Sequence, residues 1–192
     1  MKKIFKIILI SIVIFVIAAV VFALIAFGDF ISYTATGTEL REHTGPLKGE
    51  ALVVYNPGLS GGAKEAASKI ADLLVSKGFQ VRFAGVRSEA AANTSSYHVI
   101  VVGGPVYGGK PVQSVQSYLN NLDPSSETLV GVFGMGGGPE ETADLHAIAS
   151  EVASLPSDSS VVLMTVMKIA TSENIDERCQ LFVSNLLEPP KT

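Results

Sequence analysis

The sequence predicts an α/β domain built on a doubly wound, five-stranded parallel sheet. Three observations point there. Apolar, β-rich runs alternate with amphipathic stretches from about Glu50 onward; the runs are apolar almost without interruption, as in VIVVGG (Val99–Gly104) and SVVLMTVM (Ser160–Met167); and the amphipathic stretches carry one-sided apolar stripes. Continuous apolar strands are what a parallel sheet requires when helices bury both of its faces. Regular alternation of such strands with helices defines the doubly wound class.

In chain order, strands are expected at Ala51–Tyr55, Gln80–Val86, Val99–Gly103, Leu129–Phe133 and Ser160–Met167. Helices are expected at Ala63–Lys77, Val112–Asn121, Glu140–Leu155 and from about Ser172 to Leu187. Each helix repeats apolar residues at three-and-four spacing: Ile70, Leu73 and Leu74; Val112, Val115 and Leu119; Leu145, Ile148, Val152 and Leu155; Ile175, Cys179, Phe182 and Leu186. That spacing gives each helix one face to lay on the sheet. Arg87–Tyr97 is Ala-rich and too short for a full helix, so it reads as a loop or stub.

The chain has 192 residues, 47% of them hydrophobic, enough for one domain and not two. Its mean hydropathy of +0.39 is raised by one segment, Ile7–Phe27, which contains no charged residue. About 20 apolar residues cross a bilayer as a helix, so residues 7–27 are expected to contact the lipid bilayer as a single-pass transmembrane helix. The rival reading is a cleaved signal, whose apolar region is normally about 7 to 15 residues. Lys2, Lys3 and Lys6 precede the run, whereas Asp29, Glu39, Arg41, Glu42 and Lys48 nearly cancel after it. The positive-inside rule then places the N-terminus in the cytoplasm and the domain on the outer face. Expected boundaries are 1–28 for the membrane anchor, 29–49 for a polar tether and 50–192 for the domain.

A net charge of −4 without a basic stripe excludes nucleic-acid binding as an expectation. His43, His98 and His146 lie far apart and lack ligand spacing, so no metal is expected. Cys179 is the single cysteine; within a helical apolar stripe it reads as a small buried hydrophobe.

Ligands of open parallel sheets bind beyond the carboxyl ends of the strands, where strand order reverses. Three glycine-containing loops would gather there. YNPGLSGGAKEAA (Tyr55–Ala67) joins a strand to a helix. Gly58, Gly61 and Gly62 let the backbone approach a ligand, Ser60 adds a hydroxyl, and Ala63 and Lys64 open a helix whose free N–H groups suit a phosphate. The alternative is that Asn56, Pro57 and Gly58 make only a tight turn. Lys64 is followed by Glu65, and the GxGxxG spacing is missing, so neither a Walker loop nor a dinucleotide fingerprint is present. GGPVYGGKP (Gly103–Pro111) leaves Tyr107 to stack on a planar ligand or to plug the sheet end. GMGGG (Gly134–Gly138) presents bare backbone to a heterocycle's polar edge, with the soft sulfur of Met135 beside it; a plain connection is the alternative. The G-x-S-x-G elbow of hydrolases is absent.

With these three loops in place, residues Glu50–Glu188 resemble the flavodoxins. That family's five parallel strands run in the order 2-1-3-4-5 and hold flavin mononucleotide (FMN) by its phosphate and ring. GGPVYGGKP is similar to the family's G-x-P-x-Y-x-G loop, which contacts the flavin. The resemblance therefore implies cofactor-binding roles for Gly104, Pro105, Val106, Tyr107 and Gly109. VGVFGMGGGPEE (Val130–Glu141) is similar to the next loop, implying roles for Gly134, Met135, Gly136 and Gly137. At the phosphate loop the family typically has T-x-T-G-x-T, of which Ser60 and Gly61 match, while Gly62 and Ala63 stand at hydroxyl positions and Pro57 has no N–H to donate.

Three functions follow as expectations. The first is a membrane-anchored FMN protein that transfers electrons to a redox partner protein or a quinone-like acceptor, the chemistry residing in the cofactor. The second is an FMN-dependent quinone or NAD(P)H reductase. The third is a cofactor-free interaction or sensory module, motivated by the missing hydroxyls.

Overall fold

The computed structural model describes residues 2–33, 35–125, 127–138, 140–152 and 162–188. The chain divides into two compact units, Met1–Tyr33 and Thr34–Thr192. The first is a helix, α1 (Lys2–Tyr33), on which apolar side chains such as Phe15 and Phe22 are exposed. Among the described residues, no helix is long and apolar enough to cross a membrane. The expected single-pass anchor, with a cytoplasmic N-terminus and an outward-facing domain, is therefore overturned.

The second unit contains β1 (Thr38–Arg41), β2 (Gly49–Tyr55), α2 (Gly62–Ser76), β3 (Phe79–Gly85), α3 (Glu89–Ala92), β4 (Val99–Tyr107), β5 (Lys110–Pro111), α4 (Gln113–Asn120), β6 (Leu129–Gly136), α5 (Thr142–Val152), β7 (Val162–Ala170) and α6 (Ile175–Leu187). The sheet order is β1-β3-β2-β4-β6-β7, with β5 paired to β4. β3, β2, β4, β6 and β7 are mutually parallel, which reproduces the expected 2-1-3-4-5 order. The sheet nonetheless has seven strands, not five. β1, formed by residues read as tether, adds an antiparallel edge beside β3, and β5 makes a short antiparallel hairpin with β4.

Successive strand residues point to opposite faces, and β2 divides its side chains accordingly. Ala51, Val53 and Tyr55 meet Ile70 and Leu74 of α2 and Phe182 and Leu186 of α6. Leu52 and Val54 face the layer of Val115 and Leu119 from α4 and Ile148 from α5. Each fully buried Leu, Ile or Phe contributes about 1.5–3 kcal/mol, so these two apolar layers dominate the fold's stability. At the outer edge, the Tyr55 ring stacks on Phe83 at 4.4 Å between centroids. The Arg41 guanidinium lies 4.5 Å from the Phe83 centroid and donates to Ser68 O and to Asp72 Oδ1, both at 2.9 Å. β1 is thereby clamped to both β3 and α2.

β4 and β6 run farther than their apolar stretches suggest. Gly103 pairs with Phe133, Gly104 with Gly134 and Pro105 with Met135. Pro105 is tolerated because β2 has ended by then: its last pair with β4 is Tyr55 with Gly103, so no neighbour on that side asks Pro105 for an N–H. Arg87–Tyr97, read as a stub, holds only the short helix α3. Residues 153–161, which include Leu155 and the start of the last predicted strand, lie outside the described residues, as does Pro139.

Candidate functional site

The carboxyl ends of β2, β4 and β6 meet at one edge of the sheet, at the point where strand order reverses. Beyond β2, Asn56 is buried at 1% exposure. Its N–H donates to Gly103 O at 2.9 Å, its Nδ2 donates to Ser114 Oγ at 2.8 Å, and its Oδ1 accepts from the Gly58 N–H at 2.9 Å. This Asx turn aims the loop across the end of β4. Gly58 and Gly61 have φ of 66° and 76°, left-handed values that favour glycine. Gly61 is the N-cap of α2 and supplies no side-chain cap.

Three contacts join the loops. A Cβ on Gly58 would lie 3.0 Å from Pro105, and one on Gly62 would lie 3.3 Å from Met135 Cε. The Tyr107 hydroxyl accepts the Leu59 N–H at 3.2 Å. The first loop thus touches both of the others. Tyr107 remains 49% exposed and lies across the loop like a latch. The Gly62 N–H donates to Ser60 Oγ at a long 3.4 Å. Behind it, the first-turn N–H groups of Ala63 and Lys64 have no acceptor within the helix and form the anion-receptive end of α2. The Lys64 ammonium sits 6.0 Å from the Tyr55 ring centroid.

Not every sequence-derived candidate faces this edge. Gly58, Ser60 and Gly61 lie in the first loop, and Gly62, Ala63 and Lys64 in the first turn of α2. Pro105 and Tyr107 end β4 beside them, and Met135 reaches them from β6. Val106, 6% exposed, packs into the opposite apolar layer with Ile148. Gly104 and Gly134 pair with each other inside the sheet, where added side chains would run into Val115 and Val106 respectively. Gly109 turns the β4–β5 hairpin at φ 78°. Gly136 ends β6, and Gly137 stands in open space.

Two neighbours of the site lie outside the candidates drawn from the sequence. In sequence, Asn56 reads only as a turn former. Lys168 on β7 is 7% exposed, and its Cε lies 3.1 Å from where a Cβ on Gly136 would be. Glu140 Oε2 accepts both the Lys168 N–H at 2.8 Å and Arg178 at 2.9 Å, and Arg178 also donates to Lys168 O at 2.7 Å. A single charged residue inside the apolar run VLMTVMKIA was the available signal.

No family model matches the sequence, and no curated protein matches it. Among solved structures, the chain is similar to flavodoxin 2 from Bacillus cereus, with 19% identity and a TM-score of 0.54 over 72% of this chain and 98% of that one. It is also similar to a flavodoxin from the domain Archaea, with 15% identity and a TM-score of 0.51 over 72% and 96%. An NADH:FMN oxidoreductase, solved in its apo form, matches with 15% identity and a TM-score of 0.50 over 74% and 92%. The class is therefore plain: the second unit has a flavodoxin-like α/β fold.

Proposed function

We infer that this domain binds FMN at the carboxyl edge of the sheet and passes electrons to a partner. One observation carries this reading: the uncapped start of α2 and the Tyr107 ring lie together at the reversal point, joined by the Leu59–Tyr107 hydrogen bond. The residues present fit the cofactor's two halves. Ser60 Oγ and the N–H groups of Gly61, Gly62, Ala63 and Lys64 would hold the phosphate, aided by the helix dipole. Tyr107 would cover the ring system, and the backbone of Gly136 and Gly137 would border its polar edge. The bound flavin supplies the redox chemistry; the protein's part is to hold it, orient it and exclude water.

FMN titrated into the full-length chain should lose fluorescence to a saturable endpoint. Ser60→Glu, which places a like charge in the phosphate loop, should weaken binding at least tenfold. Unquenched fluorescence at millimolar protein would defeat the reading.

A second reading, a cofactor-free interaction or sensory module, has its own observation. The Leu59 N–H, which an anion would otherwise recruit, is already taken by Tyr107. Tyr107→Phe separates the two. Under the FMN reading it releases a donor and leaves affinity the same or higher; under the module reading neither protein binds flavin.

A further inference from the structure

Asn56 has a second neighbourhood. Its partner Ser114 also lines a cleft of about 480 Å³ that opens between Arg87, just beyond β3, and one face of α4. That volume falls within the roughly 300–1,000 Å³ of small-molecule sites. The α4 wall consists of Gln113, Ser114, Ser117, Tyr118 and Asn121, in which Gln113, Ser117 and Asn121 recur every fourth residue and so share a helix face. Among the described residues, no carboxylate lines it.

Several donors of this cleft are unspent. The Arg87 N–H donates to Ala35 O at 2.8 Å, which anchors the backbone, while its guanidinium has no hydrogen bond or ion pair among the described residues. Ser114 Oγ accepts from Asn56 at 2.8 Å, leaving its own hydrogen to donate. Asn121 uses Nδ2 on Ser117 O at 2.7 Å and keeps a second amide hydrogen. The Tyr118 hydroxyl donates to Ala91 O at 2.7 Å, so the residue offers the cleft its ring rather than its hydroxyl.

We propose that this cleft binds a phosphate monoester with an aromatic body, independently of the flavin reading. The guanidinium fork, two hydroxyls and two carboxamides supply more donors than the two oxygens of a carboxylate accept in one plane, whereas a phosphate monoester presents three strong acceptor oxygens and close to two negative charges. Arg87 clamps the phosphate in bidentate fashion, Ser114 and Ser117 complete its shell, and Tyr118 receives the body.

The test is calorimetric titration of the full-length chain with phenyl phosphate. One-site saturable binding is expected. Arg87→Gln should weaken it at least tenfold without moving the ligand-free melting temperature, since that guanidinium supports no other residue. Ser60→Glu, which blocks the first loop, should leave it unchanged. No saturable binding, equal affinity in Arg87→Gln, or loss in Ser60→Glu instead would overturn the proposal. FMN belongs to the same chemical class, so its titration is repeated in Arg87→Gln: quenching that persists there and is lost in Ser60→Glu reports on the first loop, and failure of either site is read separately.

Discussion

Gly103 shows how one missing Cβ sets the position of an aromatic ring. Any Cβ there would run into the Phe133 ring, which is 1% exposed and meets Phe182 edge-on at 6.0 Å between centroids. Gly103→Ala should therefore destabilise the domain by about 1–3 kcal/mol, the usual cost of overpacking a tight core, measured by urea unfolding. Cys179 makes a second prediction at this scale. It is fully buried, and burial pushes its thiol up to about 11, with Lys69 opposing and Asp176 and Glu65 reinforcing the rise. An unfolded thiol titrates near about 8.5. Between those values the unfolded chain releases a proton that the folded chain keeps, so stability is full below about 8.5 and falls as pH rises toward 11. Tyr118, raised chiefly by burial, adds to the decline on the far alkaline side. Urea unfolding at several pH values should show the fall, and Cys179→Ala should flatten its portion below pH 10.

Elements were legible where their pattern was local, and illegible where pairing decided them. The stripes of α2, α4 and α6 and the apolar runs of β2 and β4 announced themselves, because a period of 3.6 or a continuous apolar run is a property of neighbouring residues. β1 reads as tether because the stretch from Gly28 to Gly49 is polar, short on periodicity and dotted with Thr, Gly and Pro46. It is a strand because β3 offers it an edge and Arg41 pins it there. Arg41→Ala should cost about 1–2 kcal/mol, summing a modest cation–π contact, exposed ion pairs worth at most about 1 kcal/mol and lost packing of the stem. Amide hydrogen exchange should quicken across residues 38–41 with little change in β4. Glycine and proline are poor strand formers by propensity, so the ends of β4 and β6 looked like loops; their mutual pairing makes them strand.

At the scale of the whole molecule, the compact unit begins at Thr34, earlier than the expected start at residue 50. Ala35 is fully buried, its carbonyl accepts the Arg87 N–H at 2.8 Å, and Gly37 O accepts the Gly85 N–H at 2.7 Å. A fragment spanning 34–192 should unfold at a higher temperature by circular dichroism than one spanning 50–192, which exposes the β3 edge and leaves those donors without acceptors. Equal melting temperatures would show that β1 adds nothing to the fold.

The sequence by itself determined the α/β class, the five parallel strands and the three glycine-bearing loops that end them, since those follow from periodicity and from which residues succeed each strand. Only the tertiary structure decided which members of those loops meet. Leu59 and Tyr107 lie 48 positions apart, and Arg87 faces α4 across a cleft that no local pattern describes. Contacts of that range are set by how the helices seat on the two faces of the sheet. The same packing sets Val106 against Ile148 in one apolar layer and leaves no room for a side chain at Gly134.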